Sequence, residues 1–78
     1  MKRYLLFSWD ARFGALGGWR DFFASFDTIE EAKEAIPHRT GEIIDAEHGY
    51  GTVAVAEIDF WTEKGVRWFD VPEEQRVG

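Results

Sequence analysis

A single helix signal with strand-like segments on both sides constrains the fold of this chain more than any other feature. Asp27 and Thr28 are alternative N-cap residues, because each is followed three positions later by a glutamate, which is the capping-box spacing. Pro37 ends the helix, since proline disfavours helical backbone in the residue before it. The predicted helix, residues 28–36, is about ten residues long and too short to be stable alone, so it must pack on a sheet.

The other apolar segments have the length and composition of β-strands. Strands are predicted at residues 4–9, 19–26, 53–60 and 66–71, with a shorter candidate at 42–47 and a hairpin turn at 62–65. The order ββαβββ predicts an α+β fold in which the helix packs on one face of an antiparallel sheet of four or five strands. A chain of 78 residues has room for one core, so residues 1–78 are predicted to form one domain with a frayed tail at 72–78.

Aromatic side chains must supply much of the core, because the chain is small and contains no cysteine for disulfide bonds. Seven Phe, four Trp and two Tyr are present, and each ring can bury roughly 150–250 Å². Alternation along residues 53–60 turns the even-numbered side chains inward, which predicts that Phe60→Ala costs about 3–5 kcal/mol. The residues predicted to be buried are Leu5, Phe7, Phe22, Ile29, Ile36, Ile58 and Phe60, whereas the orientation of Leu6 is left open.

No motif in the sequence specifies catalysis, a metal or a cofactor. His48 would point away from Asp45 and Glu47 on an extended segment, so these residues do not form a metal-binding set. The glycines of residues 14–18 lack the spacing of a phosphate-binding loop, and neither serine has the context of a catalytic nucleophile. We therefore predict a protein that is not an enzyme and uses no cofactor or metal ion.

The N-terminal segment and the absence of cysteine from the sequence indicate a cellular compartment. The apolar run ends at Asp10, which makes it too short for a transmembrane helix, and no signal-peptide cleavage site follows. A chain without cysteine also fits a reducing compartment. These features predict a cytoplasmic protein that does not associate with a membrane.

The glycine-rich loop at residues 12–18 has two interpretations. Its three glycines predict a mobile segment or a wide turn between the first two strands. It is either a flexible connection or a loop that folds onto a partner through Arg12, Phe13 and Leu16.

Negative charge is concentrated in the middle of the chain. Residues 21–63 contain eleven acidic and two basic residues, a net −9, whereas residues 1–20 carry +3 and the whole chain carries −6. Such a one-signed segment favours a positively charged partner. It disfavours direct binding of nucleic acid, because the phosphate backbone is itself negatively charged.

Two acidic groups are candidate partner-binding surfaces. The favoured group lies in the strand region with an exposed tryptophan, because charge beside an aromatic ring on a rigid element suits protein binding. Its members are Glu42, Asp45, Glu47, Glu57, Asp59 and Trp61. The secondary candidates are the helix acids Glu30, Glu31 and Glu34, together with Trp19 beside the glycine-rich loop.

Several segments, in a fixed order, resemble a group of small phage and prophage proteins. They are YLLF at residues 4–7, GGWRDF at 17–22 and SFDTIEEA at 25–32. Members of that group share the pattern YLLF…GGWxDF…SFDTxEEA, and such proteins often counter host defences. A small acidic chain of this kind is also similar to anti-CRISPR inhibitors.

The resemblance implies an inhibitor in the host cytoplasm whose acidic surface covers the basic DNA- or RNA-binding surface of a host defence complex, by implication a CRISPR interference complex. The alternative is a small phage structural or regulatory protein that binds another protein without mimicking nucleic acid, its acidity serving solubility. A homodimer stays open in either case, because residues 66–71 are predicted to lie at a sheet edge.

Overall fold

The computed structural model describes residues 1–47, 49–63 and 65–76. These residues form one antiparallel sheet in the order β2-β1-β3-β4-β5, with one α-helix between its second and third strands in the chain. The elements are β1 (Tyr4–Ser8), β2 (Phe22–Phe26), α1 (Ile29–Ala35), β3 (Gly41–Asp45), β4 (Gly51–Ile58) and β5 (Val66–Asp70). The predicted α+β fold is confirmed, and the shorter strand candidate at residues 42–47 corresponds to β3, which ends at Asp45.

Helix α1 begins at Ile29 because Thr28 is its N-cap. The Thr28 hydroxyl accepts a hydrogen bond from the backbone N–H of Glu31 at 3.2 Å, which satisfies one of the free donors of the first turn. Asp27, the alternative cap, instead faces Lys2, with 3.6 Å between carboxylate and ammonium. Of the two caps left open by the sequence, the structure therefore selects Thr28.

Replacing Thr28 by alanine should lower the free energy of unfolding by about 1 kcal/mol, because an N-cap hydrogen bond is lost. Asp27→Ala is the matched control and should cost less, since it removes only an exposed ion pair. Urea unfolding followed by fluorescence measures both. An equal or larger loss for Asp27→Ala would contradict the assignment of the cap.

The hydrophobic core lies between α1 and one face of the sheet. Its buried members are Leu6, Ala32, Ile43, Val53 and Ala54. The question left open for Leu6 is thereby answered, since its side chain contributes to this core. Among the residues predicted to be buried, Leu5 and Phe7 are confirmed, while Phe22, Ile29, Ile36 and Ile58 are half-buried.

The predicted burial of Phe60 is wrong, since 85% of this residue is exposed. Strand β4 ends at Ile58, and the Asp59 carboxylate accepts a hydrogen bond from the Trp61 backbone N–H at 2.9 Å. The chain turns at this point, so the alternation of the strand does not extend to position 60. Phe60→Ala removes no core side chain, and the large loss of stability predicted for it is not expected.

Two further segments differ from the sequence prediction. Residues 19–21, predicted as the start of a strand, belong instead to a 3₁₀-helix, Gly18–Asp21. In the predicted tail, Glu73–Gln75 forms a second 3₁₀-helix, and the Arg76 side chain donates to the Val71 carbonyl at 3.0 Å. Residues 77 and 78 of that tail, and Lys64 of the predicted hairpin turn, lie outside the described residues.

Strand β5 lies at one edge of the sheet, as its position in the sequence predicts, and β2 lies at the other. A homodimer through β5 stays a prediction. No α-helix within the described part of the chain has the length and apolar character needed to span a bilayer.

Candidate protein-binding surface

The sheet has one face that carries no α-helix within the described residues, and we call it the open face. Helix α1 packs on the side of Leu6 and Ile43, so the neighbouring residue Glu42 points to the opposite side. Strand register then places the rest of this surface, because partnered residues share a face. The open face comprises Leu5, Phe7, Glu42, Ile44, Thr52, Val55, Glu57, Arg67 and Phe69.

A groove of about 290 Å³ lies at one end of the open face. Trp19 and Tyr50 line it with exposed rings, and we call it the Trp19–Tyr50 groove. The Trp19 ring is held against Phe7 and Phe22, with centroid distances of 5.7 and 5.3 Å. The further lining residues include Leu5, Ile44, Asp21 and Glu42. The groove therefore combines apolar and aromatic walls with two carboxylates.

The glycine-rich loop, predicted as a mobile segment or a wide turn, is held by hydrogen bonds at both ends. The Asp10 carboxylate accepts from the backbone N–H of Arg12 at 2.9 Å. The Asp21 carboxylate accepts from the N–H groups of Leu16 and Gly17 at 3.0 and 2.8 Å. Asp21 is therefore a positioning residue that the sequence reasoning missed. An aspartate three residues after Gly18 was the available signal, since such side chains hold turns through backbone N–H groups.

Asp10 titrates below its usual range. The Arg12 guanidinium, followed by the Arg12 backbone N–H, donates hydrogen bonds that lower the Asp10 pKa from 3.8 to about 2. Because the folded pKa lies below the unfolded one, this contact contributes stability above the unfolded value and loses it as the pH falls through about 2. An NMR titration of the side-chain carboxyl carbon should therefore have its midpoint near 2 in the wild type and at a higher pH in Arg12→Met, still below 3.8 because the backbone N–H of residue 12 is retained. Identical midpoints in the two proteins would show that Arg12 does not cause the shift.

The turn between β4 and β5 presents two aromatic rings to solvent. Phe60 and Trp61 are 85% and 96% exposed. Backbone hydrogen bonds hold the turn, including Asp59 N–H to the Gly65 carbonyl at 2.8 Å and Gly65 N–H to the Thr62 carbonyl at 3.1 Å. Exposed rings on an ordered turn are typical of protein-binding anchors, because little conformational freedom is lost when they are buried.

The acidic residues of the favoured group do not share one surface in the structure. Glu42 and Glu57 share the open face, whereas Asp59 ends β4 with its carboxylate 4.0 Å from Arg67. Asp45 lies on the opposite face, where only 1% of it is exposed. The prediction that Asp45 belongs to an exposed partner-binding surface is therefore wrong. Its side chain faces the interior, because it lies three positions from Glu42 along the strand.

Arg3 neutralises two members of that group at the other end of the sheet. Its Nε and Nη2 atoms donate to the two carboxylate oxygens of Asp45 at 2.9 and 2.8 Å. Its Nε also lies 3.0 Å from the carboxylate of Glu47. Glu42 and Glu57, by contrast, have no ion pair with any other described residue.

The helix acids Glu30, Glu31 and Glu34 are exposed on α1, across the sheet from the open face. Within the described part of the chain, none of them has a basic group within 4.0 Å. The protein thus has two acidic surfaces on opposite sides. Trp19, a secondary candidate in the sequence, belongs to the side of the open face through its contact with Phe7.

The described residues contain no group of three or more His, Asp or Glu side chains arranged to hold a metal ion. His48, part of the set considered from the sequence, lies outside the residues that the structure describes. Comparisons with models of protein families, with curated proteins and with solved structures found no match to this chain.

Proposed function

We propose that this protein is a non-enzymatic binding protein that docks through its open face on a basic surface of a partner protein. One observation carries the proposal: the open face, on which no α-helix of the described structure packs, presents Glu42 and Glu57 on the same side as the exposed rings of Trp19 and Phe69. A sheet face with apolar side chains is stabilised when another element covers it. Leu5 and Phe7 are already buried, with Trp19 packed on Phe7, so a partner protein would cover the part of the face formed by β3, β4 and β5.

The charge of the open face determines the kind of partner. Its one basic residue among those described, Arg67, faces Glu57 on the neighbouring strand and lies 4.0 Å from the Asp59 carboxylate. Neither Glu42 nor Glu57 has an ion pair within 4.0 Å in the described structure. Long-range attraction would orient a basic partner and raise the rate of association. The exposed rings of Trp19 and Phe69, with Trp61 in the adjoining turn between β4 and β5, would then provide most of the affinity, because aromatic anchors dominate binding energy in protein interfaces.

A finer proposal concerns what the partner does. The resemblance to small phage proteins and the net charge of −6 favour a host defence complex whose basic DNA- or RNA-binding surface the protein covers, as anti-CRISPR inhibitors do. The site of action is then the host cytoplasm. The alternative is a phage structural or regulatory protein whose partner has no nucleic-acid site.

The open face is tested by reversing its two unpaired charges. Glu42→Lys with Glu57→Lys should weaken binding to a partner complex captured from host lysate by roughly tenfold or more, because two attractions become repulsions. Glu30→Lys with Glu34→Lys makes the same change in net charge on the helix side and is the matched control. Circular dichroism and thermal melting establish that both variants are folded, and biolayer interferometry measures binding.

The two variants give distinguishable outcomes. Loss of binding by the open-face variant alone supports the proposal. Wild-type binding by that variant overturns docking through the open face, and loss confined to the helix variant moves the interface to α1. Labelled DNA competing for the captured complex separates the finer proposals: displacement of the DNA supports inhibition by covering, and simultaneous binding supports the alternative.

A further inference from the structure

We infer that the Trp19–Tyr50 groove receives an arginine side chain of the partner protein. This inference rests on the proposed function and names the group that the open face recognises. Three features of the groove carry it: two carboxylates without a basic partner, aromatic rings at the opening and an apolar floor.

The negative charge of the groove is not balanced by any described residue. Asp21 is only 7% exposed, and its carboxylate is held by the backbone N–H groups of Leu16 and Gly17. The Glu42 carboxylate accepts one side-chain hydrogen bond, from the Thr52 hydroxyl at 3.1 Å, and it has no ion pair with another described residue. Covering Glu42 with an apolar group would bury a charge that has one hydrogen bond and no cation beside it, which is costly. A cationic group avoids that cost.

Aromatic walls favour a cation that can stack. Trp19 and Tyr50 are each 60% exposed beside the groove, and Trp19 is held in place by its contacts with Phe7 and Phe22. A guanidinium is planar, stacks on aromatic faces and pairs with a carboxylate through two parallel hydrogen bonds. An ammonium is more strongly hydrated and lacks this planar geometry. The walls therefore favour arginine over lysine.

The floor of the groove accommodates the rest of the side chain. Leu5 and Ile44 line it with aliphatic atoms. The methylene groups of an arginine can pack on such a surface while its charged end reaches Glu42. A free anion, a nucleotide phosphate for example, would meet two carboxylates in the same space and is excluded by repulsion.

The test uses three short peptides and the full chain. Acetyl-Gly-Arg-Gly-amide, its lysine counterpart and its citrulline counterpart are titrated at millimolar concentration, and ¹H–¹⁵N NMR spectra are recorded. We expect the arginine peptide to shift the Trp19 indole N–H and the Gly17 and Tyr50 amides. The citrulline peptide, which has the same shape without the charge, should bind about tenfold more weakly, and the lysine peptide should fall between them.

Two conservative variants separate a binding role from a structural one. Glu42→Gln should weaken the arginine peptide by about tenfold while leaving the Trp19 indole resonance in place. Glu57→Gln removes an equal charge from the open face outside the groove and should have little effect. Equal binding of the arginine and citrulline peptides, or shifts that do not include Trp19, would overturn the inference.

Failure of the inference differs from failure of the proposed function. If charge reversal at Glu42 and Glu57 abolishes partner binding but the arginine peptide does not bind the groove, the inference is wrong and the docking surface stands. If the peptide binds but charge reversal leaves partner binding unchanged, the groove can bind arginine, but docking through the open face is wrong and so is an arginine of that partner in the groove.

Discussion

Gly41→Ala should lower the free energy of unfolding by about 3 kcal/mol or more, a large share of the roughly 5–15 kcal/mol typical of a domain. Strand β3 begins at Gly41, where it pairs with Ser8 of β1. A Cβ atom at this position would lie against the carbonyl oxygen of Phe7 and 3.1 Å from the Cα atom of Ser8. These are backbone atoms, so no side-chain rotation relieves the overlap, and the two strands must separate.

Gly14→Ala is the matched control, because a Cβ atom there would have no neighbour within 4 Å. Its backbone has φ of +74°, so alanine would cost only the strain of a left-handed conformation, about 1 kcal/mol. Urea unfolding followed by tryptophan fluorescence measures both variants. A Gly41→Ala protein as stable as Gly14→Ala would show that β1 and β3 do not approach as closely as the structure places them.

Local signals account for the parts of the fold that the sequence predicts well. The spacing of Thr28 and Glu31 locates the start of the helix to within a residue, and Pro37 locates its end. The apolar run beginning at Tyr4 and the continuous run in β4 locate two strands of the sheet. Each of these signals acts over a few residues, so it can be read without the tertiary structure.

The burial of Phe60 could not be predicted correctly from local signals. Alternation predicts which face a residue occupies only while the strand continues, and here Asp59 ends β4 through a hydrogen bond to the Trp61 backbone. The register of β3 against β4 also shifts between Ile43 and Ile44. Ile43 pairs with Ala54 and Ile44 pairs with Thr52, so Val53 has no partner in β3. An irregularity of this kind depends on pairing between distant strands, so composition does not reveal it.

The candidate surface is only partly predictable for the same reason. Glu42 and Glu57 could be identified as acids of the strand region, but their shared face depends on the pairing of β3 with β4. Alternation within β3 already separates Glu42 from Asp45, and this signal was available in the sequence. The pairing of Asp45 with Arg3 could not be predicted from the sequence, because the two residues lie 42 positions apart along the chain.

Asp45→Asn should lower the free energy of unfolding by roughly 2–4 kcal/mol. The Asp45 carboxylate accepts two hydrogen bonds from the Arg3 guanidinium, at 2.9 and 2.8 Å, and one from the Glu47 backbone N–H at 3.0 Å. This contact also raises the pKa of Arg3. Because 35% of the Arg3 side chain is exposed, water can solvate the guanidinium in the variant. We therefore expect a smaller loss of unfolding free energy than for a fully buried ion pair.

Glu47→Gln separates the buried contact from the exposed one. Glu47 lies 3.0 Å from the same guanidinium but its side chain is largely exposed, so its replacement should cost about 0–1 kcal/mol. Urea unfolding gives both stabilities, and partner binding is measured under conditions where each variant is folded. We expect Asp45→Asn to bind its partner as the wild type does, because its carboxylate faces away from the open face. If Asp45→Asn kept wild-type stability but lost partner binding, Asp45 would belong to the binding surface. The contact of its carboxylate with Arg3 would then be wrong.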